Sequence, residues 1–197
     1  MPDVHKNRPM SALLSADKEF GWTSNFNGFH DESQGVDDVP LYYVRKGKRL
    51  VGYIDRYEIK KSAHLVDTWK VMVPKASSDG GQRIPDVVLG KPLLAPSPSV
   101  CTQTFLFFYT DSKEQRDNIC RYLQTKFFRF LVSTRKLTQD ATVDTYKWVP
   151  QQDFTAGSDI NWQQPLADIE QQLYAKYQLS SEEVALIEAR VKPMALD

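Results

Sequence analysis

Two groups of residues in this 197-residue chain have types and spacings that chemistry uses. The first is Pro85-Asp86 followed by Asp111-Ser112-Lys113, which fits the Pro-Asp…Asp/Glu-x-Lys pattern of Mg²⁺-dependent nucleases. That reaction needs two carboxylates converging on the metal and a lysine beside the attacked phosphate. Asp86, however, stands in a Gly- and Pro-rich stretch and Asp111 just ahead of a helix cap, where both read as solvated turn residues. The second group is the run "VSTRKLTQDAT", residues 132–142, with Ser133, Thr134, Arg135, Lys136, Thr138, Gln139 and Thr142 in close succession. Arg135 and Lys136 suit phosphates, Gln139 an adenine edge and Arg135 a guanine edge, while Thr134 and Thr142 can bond phosphate or base. The competing reading is a polar helix end whose two cations complement the helix dipole.

Metal and redox chemistry find less support. Cys101 and Cys120 fall on apolar segments and read as buried thiols, and His5, His30 and His64 are too far apart for a zinc site. "DGGQR" lacks the spacing and lysine of a phosphate loop, and no serine-nucleophile elbow, paired-histidine motif or kinase signature occurs. The formal net charge of zero conceals a division: residues 1–40 carry net −4, residues 41–150 net +9 and residues 151–197 net −5. A basic middle between acidic ends suggests a polyanion partner, unless the acidic ends simply pack on the middle and neutralise it. No apolar run approaches the length of a membrane helix and the amino terminus lacks the order of a signal peptide, so a cytoplasmic protein with no membrane partner is expected.

The elements that must position these residues follow from periodicity. Residues 1–40 show no sustained period and read as a partly irregular lead-in. "LYYVRKGKRLVGYIDRYEI" (41–59) reads as two strands joined at Lys46 and Gly47, carrying Lys48 and Arg49 just past the turn. "WKVMVPKA" (69–76) and "TQTFLFFY" (102–109) are further strands. Between them, residues 76–100 hold three Gly and four Pro, which excludes a helix or central strand over most of the stretch. Lys75, Arg83 and Lys91 punctuate it. A long helix should begin at a Ser112/Gln115 capping box and fray near Arg135, with Ile119, Leu123, Phe127, Phe130 and Leu131 on its core face and Arg116, Lys126 and Arg129 elsewhere. "TYKWVP" (145–150) reads as a short strand. Two helices close the chain at 165–177 and 180–191, the second with a Ser180/Glu183 capping box. The expected class is α+β: a mixed sheet, one long core helix and a small helical tail, divided as 1–40 lead-in, 41–150 core and 151–197 tail.

The segments "GKPLLAPSPSVCTQTFL", "YLQTKFFRFLVSTRKLTQDAT", "YKWVPQQDF" and "YQLSSEEVALIEARVKPM" add a resemblance. In this order they resemble the carboxyl-terminal region of bacterial type IIG restriction–modification proteins and related adenine-specific DNA methylases, over about residues 40–194. In that family the region follows the methylase domain and is taken to contain target recognition. The resemblance therefore implies sequence-specific binding of double-stranded DNA by a chain that is not catalytic alone. A methylase or nuclease domain, in the same or a separate chain, would supply catalysis. This sequence lacks the cofactor glycine motif and the catalytic tetrapeptide, so S-adenosylmethionine is expected only in that other domain. Combined with the charge pattern, Lys46, Lys48, Arg49, Arg83, Lys91, Thr134, Arg135, Lys136, Gln139 and Thr142 become the expected DNA-contacting residues. The rival expectations are a Mg²⁺-dependent nuclease using Asp86, Asp111 and Lys113, and an interaction module whose long helix docks on a methylase subunit.

Overall fold

A computed structural model describes residues 8–77 and 83–194. His5 and residues 79–82 of the "DGGQR" stretch lie outside them. The class is α+β, as the periodicities imply. Among the described residues six strands form two three-stranded sheets, and four α-helices follow in the second half of the chain.

The first sheet has the order β2-β1-β5, built from β1 (Asp38–Arg45), β2 (Lys48–Asp55) and β5 (Val100–Cys101). β1 runs antiparallel to β2 and parallel to β5, so this sheet is mixed. The β1–β2 hairpin turns through Lys46 (φ 51°) and Gly47 (φ 74°), two successive left-handed residues. That is the turn whose twist matches two paired strands, and it fixes the register Arg45↔Lys48. The second sheet, β4-β3-β6, is antiparallel and uses β3 (Trp69–Pro74), β4 (Leu93–Ala95) and β6 (Phe105–Thr110).

β3 and β6 are buried on both faces because they form the middle layer. Val71, Val73, Leu106 and Phe108 face one core, shared with the helices. Met72, Phe105 and Phe107 face the other, shared with Val39, Leu41 and Ile54 of the first sheet. The chain is thus sheet on sheet on helices. The helix-side core takes Met10 and Leu14 from the lead-in and Ile169, Leu173, Ile187 and Val191 from the tail, so one core draws on all three of the expected segments.

The expected single long helix is two helices, α1 (Lys113–Gln124) and α2 (Lys126–Ser133). Thr125 leaves helical geometry (φ −64°, ψ 147°), its hydroxyl accepts from the Phe128 amide, and Glu170 accepts from the amides of Lys126 and Phe127. Donors orphaned at the new amino terminus are thereby satisfied, and the break becomes tolerable. The break also turns the wheel. Ile119, Leu123 and Phe127 are buried as expected and Phe130 and Leu131 are half-buried, but Phe128 and Val132 join them, and Arg116 and Arg129 are buried too. At α1 the Ser112 hydroxyl caps the Gln115 amide, whereas the Gln115 side chain accepts from Thr110 and not from the Ser112 amide. The "TYKWVP" stretch is no strand: Val143–Tyr146 is a 3-10 helix, and only Pro150 makes an isolated bridge, to Pro9. Helices α3 (Leu166–Lys176) and α4 (Ser181–Arg190) lie where the sequence puts them, and the Ser180/Glu183 capping box is complete.

Candidate nucleic-acid interface

The donor-rich run after α2 is mostly consumed by the fold. A helix end leaves its last carbonyls without amide partners. Ser133 donates to the Phe130 carbonyl at 2.6 Å and Thr134 to the Leu131 carbonyl at 2.7 Å. Thr138 closes a turn on Asp140, and the Thr142 carbonyl accepts from the Thr145 hydroxyl. Lys136 corrects the expectation of a solvent-facing phosphate contact. It is 4% exposed, and its ammonium donates to the Ser77 carbonyl at 2.7 Å. The backbone beyond it pairs with the end of β3: Ser77 donates to the Gln139 carbonyl and Ala141 to the Lys75 carbonyl. Gln139 and Thr142 remain exposed. The Arg135 guanidinium lies over the Trp148 ring, 4.4 Å from its centroid.

Arg129 shows the same economy more completely. Fully buried, it donates to the carbonyls of Thr125, Val87, Lys192 and Gln124, tying the α1–α2 break to the Gly/Pro-rich stretch and to the tail. Burial pulls its pKa down to about 10, which leaves it charged at neutral pH. Lys70, also fully buried, donates to the Val66 and Thr68 carbonyls, and burial pulls its pKa down to about 8.

The hairpin differs. Among the described residues none of Arg45, Lys46, Lys48 and Arg49 belongs to an ion pair, although Arg56, Lys75, Arg116, Lys126, Lys147 and Lys176 each meet a carboxylate. All four hairpin cations are exposed. Arg45 is held from behind, donating to the Phe26 carbonyl at 3.1 Å and lying over Tyr43 and Phe29. Arg49 reaches across to Gly90, where an added Cβ would stand 3.4 Å from its guanidinium and 2.4 Å from Pro74, so that position has no room for a side chain. Partial burial lowers the Arg49 pKa. The hairpin tip opens on a cleft of about 360 Å³ lined by Lys46, Gly47, Pro74, Lys75, Gln103, Thr104 and Asp140.

The structure therefore brings Lys46 beside the turn that carries Gln139 and Asp140, with Lys48 and Arg49 at the same tip. Lys91 lies close enough to Cys120 of α1 for its charge to act on that thiol. Arg83 leads into a stretch that the tail pins, the Asp86 amide donating to Arg190 and its carbonyl accepting from Lys192. Val88 and Leu89 there are core residues. Trp148, 64% exposed, was not singled out by the sequence; its position in a strand-like pattern gave no hint of exposure.

The rival expectations find less geometry. Asp86 is bound by backbone to the tail, while Asp111 follows β6 at the end where Thr110 pairs with Trp69. No group of three His, Cys, Asp or Glu side chains able to hold a metal forms among the described residues. Both cysteines are buried and unbridged, their thiols pushed up to about 12 at Cys101 and about 11 at Cys120 by burial. The apolar face of α1 and α2 is covered by the second sheet and by α3 and α4, so it is not free to dock on a partner. No described helix is long and apolar enough to cross a membrane. Comparison with protein-family models, with curated proteins and with solved structures gave no match.

Proposed function

We propose that the chain is a DNA-recognition module, cytoplasmic and not catalytic alone, that serves an adenine-specific methylase of a restriction–modification system. The observation that carries the reading is the hairpin tip, where four cations stand together without a carboxylate partner among the described residues. Unpaired surface cations at this density repel one another and gain most from an external row of phosphates. The ordered likeness to the region after the methylase domain of type IIG proteins supports double-stranded DNA as that polyanion. S-adenosylmethionine and the catalytic residues would belong to the methylase domain, in the same or a separate chain, since this sequence has neither the cofactor glycine motif nor the catalytic tetrapeptide.

In this reading Lys46, Lys48 and Arg49 meet phosphates, and Gln139, next to the cleft, is the side chain placed to reach a base edge. Fluorescence anisotropy of a labelled duplex, titrated with the chain over a range of salt, tests it. Replacing Lys46, Lys48 and Arg49 together by Ala should weaken binding to all sequences and reduce the salt slope by roughly 2.7. An unchanged affinity would remove the hairpin from any DNA interface. The wild-type chain alone should transfer no methyl group from S-adenosylmethionine to DNA and should leave plasmid uncut.

A further inference from the structure

Of the four tryptophans, Trp162 is 3% exposed, Trp22 and Trp69 are half-buried, and Trp148 is 64% exposed. Its mounting is rigid. Tyr146, two residues before it, and Val149, directly after it, are fully buried, and the Val149 carbonyl accepts from the Met10 amide at 2.7 Å. The indole is thus held outward by a backbone fixed in the core. Arg135 covers the ring at 4.4 Å, and among the described residues that arginine has no carboxylate partner. The adjacent Lys147 is by contrast neutralised by Asp144 at 2.5 Å.

An exposed indole beside a cation without an anion fits a flat aromatic ligand attached to a phosphate. The other large apolar side chain exposed nearby in sequence is Leu137, 87% exposed and two residues from Arg135. Two scattered side chains among charged ones make too small an apolar area for a stable protein interface, which needs on the order of 1,000 Å². A single base needs only one aromatic face and a charge for its phosphate.

Resting on the DNA reading above, we infer that Trp148, with Arg135 on its ring, is a stacking platform for an unpaired nucleobase. Arg135 fixes the ring and faces the phosphate of the stacked nucleotide. Duplex affinity comes from the hairpin, and the platform adds a preference for DNA in which one base has left the helix.

Intrinsic fluorescence reads this directly, because Trp148 is the most accessible indole. The full chain is titrated with an intact duplex and with the same duplex carrying one unpaired adenine. The expected result is a quench and a roughly tenfold tighter binding with the second DNA. Trp148→Leu should lose both the quench and the preference yet keep the salt slope on the intact duplex, and Trp148→Phe should keep most of the preference. Equal binding of the two duplexes by the wild-type chain, or a preference that survives in Trp148→Leu, overturns the platform and leaves the hairpin reading standing. Absence of binding to either DNA at low salt overturns both. A quench produced by a methylase subunit without DNA would make Trp148 a protein contact and overturn the platform alone.

Discussion

The cations around α2 and those of the β1–β2 hairpin are the same residue types doing opposite things. Arg129 and Lys136 are buried and donate to backbone carbonyls of their own fold. Lys46, Lys48 and Arg49 are exposed and have no carboxylate among the described residues. The difference teaches how to read basic residues. A buried cation is committed to its own fold, because removing it strands several acceptors. An exposed unpaired cation costs the fold little and is available to a partner.

The sharpest way to break this comparison is Arg129→Ala. Four carbonyls around the α1–α2 break and the tail each lose a charged donor, so the variant should lose about 3–5 kcal/mol of stability by denaturant unfolding. A stability loss within 1 kcal/mol would mean that the guanidinium is not the clamp its contacts describe.

Lys136→Ala sharpens the same side with a smaller effect. It strands the Ser77 carbonyl and should cost about 1–3 kcal/mol, with no change in the salt dependence of DNA binding. Lost affinity at unchanged stability would return Lys136 to the interface.

Lys70 gives the comparison a pH axis. Its native pKa of about 8 lies below the ordinary 10.5. Between these values the unfolded chain holds a proton that the native chain has released, so this group makes stability rise with pH there and fall as pH drops toward 8. Wild-type stability minus that of Lys70→Met should climb through this window, by up to about 1.4 kcal/mol per pH unit. Taking the difference removes the opposing terms of the buried thiols and tyrosines. A flat difference curve would show that Lys70 stays charged where it lies.

The smallest stability effect belongs to the hairpin. Alanine at Lys46, Lys48 and Arg49 together should move stability by no more than about 0.5 kcal/mol per site while changing the salt slope of DNA binding. A large loss of stability would place these cations with the buried group and end the contrast.

Local pattern determined much of this protein. Alternating apolar residues on either side of Lys46 and Gly47 specify the hairpin, since only a two-residue left-handed turn brings those strands into register. Ser180 and Glu183 set the start of α4, because a capping box is satisfied within four residues. Burial of Phe127, the two free thiols and the α+β class followed from periodicity as well. The tertiary structure alone decided the break at Thr125, which is supported by Glu170 from α3, and the division of the strands into two sheets. It also decided the fate of each cation. Arg129 and Arg135 sit in one short run of sequence, yet one is sealed among carbonyls and the other lies on an exposed indole. A charged side chain's environment is set by partners distant in the chain, and the free energy of burying or exposing it depends on those partners rather than on its neighbours in sequence.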